Sequence, residues 1–139
     1  MDPDAIRQAL LAVVRRAKRN KAFDNCHWIG LAVDGTGAGW RTKHGCSLCR
    51  PRRNAQKQII GYQHSFVLVS VVGTGLSLPL DVEPYGPRDS EYAAGQRLLR
   101  RVISGLGKRF AQYAVVDGEF ATAPFLHTVA ISGSGWWRG

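Results

Sequence analysis

No acidic residue lies between Asp34 and Asp81, although Arg41, Lys43, Arg50, Arg52, Arg53 and Lys57 all fall there. That absence leaves the stretch without local counter-charge and points to an anionic partner rather than a cationic one. Long apolar runs are also missing. None approaches the ~20 residues needed to span a bilayer, so no membrane partner is expected. Cysteine is scarce, with three in the chain. The opening segment MDPDAIRQALLAVV sets acids ahead of its apolar face, the reverse of a secretory signal. A reducing, cytoplasmic setting is therefore expected, which argues against a disulfide framework. Internal repeats and low-complexity tracts are absent too. What is present suits one soluble domain: 139 residues, of which 45% are hydrophobic and 21% charged, enough to bury a core and exclude wholesale disorder.

The charge is uneven. Nineteen Lys and Arg against ten Asp and Glu give +9. Besides the acid-free stretch, Arg15, Arg16, Lys18, Arg19 and Lys21 form one cluster, and Arg97, Arg100, Arg101, Lys108 and Arg109 another. Any one cluster could be a solvated face that keeps the protein soluble. Three of them favour a polyanion, because each cation set against a phosphate releases condensed counterions. The DNA-binding candidates are Arg41, Lys43, Arg50, Arg52, Arg53 and Lys57.

Periodicity predicts a helix over about 3–20, capped by Asp2, with Ile6, Leu10, Val13, Val14 and Ala17 on one face. Trp28 to Val33 reads as a buried strand stopping at Asp34-Gly35. Residues 37–57 show no clear period and read as a loop or small insertion. His64 to Val72 is a β-branched run. Gly73-Thr74-Gly75 breaks it before the alternating Leu76–Val82, so the two make a hairpin in which Pro79 favours an edge. Glu83 to Pro87 reads as a loop. Ser90 or Asp89 caps a helix carrying Leu98, Leu99, Val102, Ile103, Leu106 and Phe110. Tyr113 to Val116 is a strand ending at Asp117-Gly118, and Pro124 opens a last apolar helix. The order predicts an α/β fold, a mixed sheet with helices packed on it. The division expected is 1–27, an N-terminal helix with a basic linker, and 28–139, the sheet-bearing domain.

Two strands end in Asp-Gly. An acid at the carboxyl end of a strand lies on the rim of an open sheet, where ligands bind. If the strands are neighbours, Asp34 and Asp117 converge and suit a hard cation, Mg²⁺ or Mn²⁺. Taken singly, each Asp-Gly is more often an ordinary turn. Cys46-Ser47-Leu48-Cys49 is half of a zinc knuckle, with His44 and His64 as further candidate ligands for Zn²⁺; the competing reading is a pair of ordinary thiols. Cys26 and His27 read as packing at a strand entry, and His127 as a core partner. Gly35, Gly37 and Gly39 have the wrong spacing for a dinucleotide loop.

The segment Ile29 to Thr36 resembles the first catalytic motif of bacterial insertion-sequence transposases of the DDE type. Ser90-Glu91 through Leu99 is similar to the helix between their first two aspartates, and Val116 to Phe125 resembles their second motif. The resemblance covers roughly residues 28–131. It implies a ribonuclease H-like mixed sheet with flanking helices, incomplete at the C-terminus, and metal-dependent DNA cleavage and strand transfer in DNA transposition. Asp34 and Asp117 match the first two acids. The third, a Glu on a later helix, has no counterpart, since no acid follows Glu119. A transposase truncated before its third acid, inactive alone, is the expectation. An unpaired sheet edge would also invite self-association into a homo-oligomer. The alternative is a non-catalytic, basic nucleic-acid-binding module with a small Cys-based zinc loop.

Overall fold

A computed structural model describes residues 2–23, 28–75, 77–118, 120, 122, 124, 125 and 127. Helix α1 spans Pro3–Arg19. The Asp2 carboxylate accepts from the N–H of Asp4 at 2.9 Å, and Arg16, Lys18 and Arg19 occupy the last turn, where the helix dipole favours cations. Its buried stripe is narrower than the periodicity predicts. Leu11 and Val14 are buried, whereas Ile6 and Val13 are 50% and 60% exposed. Helix α2, Glu91–Leu106, is capped by the Ser90 hydroxyl, which accepts from the N–H of Ala93, and it buries Ala94, Leu98, Leu99, Val102 and Ile103. Phe110 lies beyond this helix, not in it.

The five strands are β1 (Gly30–Arg41), β2 (Arg50–Arg53), β3 (Ile59–Val72), β4 (Leu78–Tyr85) and β5 (Tyr113–Val116). β3 is the organiser. On one side it pairs antiparallel with β1, and on the other with β2 near its start and β4 along the rest. β5 then pairs parallel to β1. The fold is thus α/β with a mixed sheet, and β4 occupies an edge that tolerates Pro79 and Pro84.

Several strand boundaries differ from expectation, and β3 itself begins at Ile59 rather than His64. β1 does not stop at Asp34-Gly35 but continues to Arg41, because β3 offers it backbone partners as far as Tyr62. Residues 50–53, expected in a loop, form β2 on the same long template. Residues 83–85 extend β4, where Ser65, Phe66 and Val67 supply the ladder. In the last three cases tertiary pairing overrode a sequence with weak strand character of its own.

Strand alternation puts Leu31 and Val33 of β1 with Val67, Val69 and Val71 of β3 on one face. These five join α2 in the core, to which α1 contributes Val14. Asp81 and Glu83 point to that same face, since they pair with Val69 and Val67. There Asp81 accepts from the guanidinium of Arg7 at 2.9 Å and of Arg101 at 2.6 Å. Glu83 accepts from Arg97 at 2.9 Å and Arg101 at 2.8 Å. The third basic cluster of the sequence is therefore partly neutralised within the fold. Among the described residues, no helix is long and apolar enough to cross a membrane.

Candidate metal centres and basic ribbon

The loop leaving β1 brings Cys46 and Cys49 against His64 of β3. The Cys46 Sγ lies 3.5 Å from the Cys49 Sγ and 3.1 Å from the His64 Nε2, and Cys49 Sγ lies 3.4 Å from the same nitrogen. Both thiols are free. At Zn–S of about 2.3 Å and Zn–N of about 2.0–2.1 Å, a tetrahedral site has edges of about 3.4–3.8 Å. The three ligand atoms are spaced close to that, and among the described residues they form the one group of three or more that could hold a metal ion. The Cys49 thiol is drawn down to about 7, first by a backbone hydrogen bond at Gly45 and then by Cys46 and His64, against the opposing effect of burial. That favours the thiolate, the form that binds metal. His44 lies on the same loop, but its ring meets Tyr62 edge-on at 5.4 Å, and it is outside the group.

The acids are arranged by the parallel pairing. Val33 is level with Val116, and Asp34 and Asp117 are the residues that follow this last matched pair, where the β1–β5 ladder ends. Asp34 is exposed. Asp117 accepts from the N–H of Phe120 at 3.3 Å and so also serves the turn that follows β5. A third acid approaches from the start of α2, the helix that the sequence places between the two aspartates. The Glu91 carboxylate, at the start of α2, accepts from the Tyr85 hydroxyl at 2.7 Å and covers Gly35, where a Cβ would collide with it. Alternation turns the Asp34 side chain to the opposite face of β1 from Gly35. Glu91 and Asp34 are thus adjacent in the fold but separated by the strand. The signal for Glu91 was the glycine directly after Asp34, a residue that permits close approach.

The basic candidates occupy one end of the sheet. Arg41 closes β1, Lys43 follows it, Arg50, Arg52 and Arg53 lie on β2, and Lys57 takes the turn into β3 with φ 63°. The guanidinium of Arg50 sits 4.9 Å from the centre of the Tyr85 ring. Arg50 and Arg52 also line a polar cleft of about 300 Å³ with Gly35, Ser65, Tyr85 and Glu91. None of these six cations forms an ion pair among the described residues. By contrast, Arg7, Arg97 and Arg101 are all paired.

Cys26, His27, Glu119 and the stretch from 128 onward lie outside the described residues, so the expectations for them and for most of the last helix do. Of that helix, Pro124, Phe125 and His127 are helical; Phe125 is fully buried, but His127 is exposed rather than a core partner, because it falls on the solvent side of the turn. No family model matches the chain, and no curated protein or solved structure is significantly similar to it.

Proposed function

We propose that this chain is a DNA-binding portion of a ribonuclease H-like catalytic domain of the DDE transposase type, inactive in strand transfer by itself. The observation that carries the reading is the β1–β5 register, whose last matched pair, Val33 and Val116, is followed on each strand by Asp34 and Asp117. Adjacent strands are about 4.8 Å apart, so one divalent ion can reach both carboxylates. The antiparallel β1–β3–β4 arrangement, followed by α2 and a parallel β5 beside β1, supports the same architecture. A Mg²⁺ or Mn²⁺ ion bound there would polarise phosphodiester oxygens. Asp34 and Asp117 would hold and orient that ion, and the ribbon would hold the DNA backbone. Fixing two ions in line with a scissile phosphate takes more anionic ligands than this pair, and Glu91 faces away from Asp34 across the strand.

Titration with Mn²⁺, followed by the loss of free-ion paramagnetic resonance, tests the reading. One ion is expected to bind, about tenfold more weakly in Asp34→Asn and in Asp117→Asn, with no plasmid nicking by any form. Unchanged Mn²⁺ affinity in both variants sinks the acid pair. Nicking that Asp34→Asn abolishes would refute the claim of inactivity.

The Cys46–Cys49–His64 group favours a second reading, a Zn²⁺-bearing basic module that binds nucleic acid without chemistry. Zn²⁺ suits the two thiolates and imidazole better than Mg²⁺ does. Both readings place duplex DNA on the ribbon, so both expect affinity to fall steeply with salt. Since log K changes by about 0.9 per phosphate neutralised, replacing Arg50, Arg52 and Arg53 with Ala should reduce the salt slope by about 2. Arg50 counts for less than the other two because it is stacked on Tyr85. A slope equal to that of the unaltered protein would exonerate the ribbon.

A further inference from the structure

Two basic clusters far apart in sequence meet in the fold, at the end of the molecule remote from the ribbon. The guanidinium of Arg15 donates to the carbonyl of Gly105 across 90 residues. The ammonium of Lys18 donates to the carbonyls of Arg109 at 3.3 Å and Phe110 at 3.0 Å, and it sits 4.8 Å from the centre of the Phe110 ring. These contacts lay the last turns of α1 along the segment that follows α2. Between them lies a cleft of about 670 Å³ whose charged lining is Arg15, Lys18, Arg19, Lys108 and Arg109, with no acid among the lining residues.

The five cations divide by role. Arg15 and Lys18 satisfy carbonyls that end α2 and lead into β5, so they build the cleft. Burial lowers the Lys18 ammonium below its ordinary pKa, and the partners it has are neutral dipoles and a ring face. An anion in the cleft would relieve that cost. Arg19, Lys108 and Arg109 are exposed, and their side chains form no hydrogen bond or ion pair among the described residues. They are placed to contact a ligand.

The separation from the ribbon follows from β1. The N–H of Gln112, just beyond Phe110, donates to the Ile29 carbonyl at 2.8 Å, next to the first residue of β1. Arg41 ends β1 on the ribbon side. At about 3.3 Å per residue, the two basic surfaces stand on the order of 36 Å apart. We propose that this cleft binds the phosphate backbone of a duplex other than the one on the ribbon, so that one molecule bridges two DNA segments. The cleft stands on its own observations; the bridging rests on the ribbon reading above.

Fluorescence cross-correlation between two differently labelled 16-base-pair duplexes tests the proposal on the whole chain. Two triple variants are compared: Arg19→Gln/Lys108→Gln/Arg109→Gln in the cleft, and Arg50→Ala/Arg52→Ala/Arg53→Ala in the ribbon. The unaltered protein should bridge. Each triple variant should still bind one duplex, with a salt slope smaller by about 2–3, and should lose bridging at least tenfold. A cleft variant that bridges as well as the unaltered protein overturns the proposal, as it would if two ribbons of a dimer held the two duplexes. A cleft that retains anionic vesicles while contributing nothing to duplex affinity overturns the assignment to DNA. If the ribbon variant instead keeps full affinity, slope and bridging while the cleft variant loses them, the ribbon reading and bridging between the two surfaces fall together, and cleft binding alone survives.

Discussion

Cys49→Ser is expected to abolish stoichiometric Zn²⁺ binding, lowering affinity by at least about 100-fold. Loss of a mere outer-shell partner costs about 10–100-fold, and removing a buried ligand must exceed that. Cys49 is 3% exposed and lies beside both other ligand atoms, so its loss leaves two of the three. Cys46→Ser and His64→Ala should behave similarly. His44→Ala should leave affinity within a few-fold, because that ring rests on Tyr62 instead. Metal content by mass spectrometry, with Co²⁺ as a coloured substitute, reads the outcome. Equal Zn²⁺ content in Cys49→Ser and the unaltered protein would show that this group is not a site. The pH dependence has a defined sign. The Cys49 thiol titrates at about 7 in the fold, below its ordinary 9.0. The stabilisation of its thiolate is therefore complete above about 9 and lost as pH falls through about 7, and Zn²⁺ affinity should weaken along the same course, since protons compete for the sulfur.

Asp81→Ala is expected to cause a large loss of stability. Its carboxylate, 5% exposed, joins Arg7 of α1 to Arg101 of α2 and is the charged point at which both helices meet β4. Removing one partner of a buried ion pair costs about 3–5 kcal/mol. The two arginines here are 27% and 35% exposed and can be partly rehydrated, so about 2–3 kcal/mol is the fitting expectation. For a chain of this size that lowers the melting temperature by about 10 °C. Asp81→Asn should cost less, because its amide oxygen still accepts from one guanidinium. Thermal unfolding followed by circular dichroism measures both. A melting temperature unchanged in Asp81→Ala would remove the network from any account of how the helices are held.

Local signals made much of the fold legible. Asp2 and Ser90 cap the two described helices, and the Gly73-containing break separates two strands that pair as a hairpin. Each depends on a few adjacent residues, which is why it could be read directly. The second half of β1 and all of β2 were illegible. Their glycines, prolines and arginines have little strand preference, and they are extended because β3 presents a ladder to them. The Cys pair was visible as a motif, but the choice of His64 over His44 was not. That choice depended on which residue of β3 came level with Ala38 of β1 and faced the loop.

Charge shows the same division. The sequence by itself determined that this is a basic chain with a long acid-free stretch, two Asp-Gly steps after apolar runs and a Cys-x₂-Cys motif. Tertiary structure decided how those groups are used. It paired Arg97 and Arg101 with acids on β4 and turned Glu91 onto Gly35. It also brought Arg15 and Lys18 to carbonyls at and beyond the end of α2 and paired Val33 with Val116, the residues just before Asp34 and Asp117. The physical reason is range. Caps, turns and periodicity act within a few residues, whereas ion pairs, ligand groups and strand register join residues tens of positions apart, and only the packed chain selects among their many combinations.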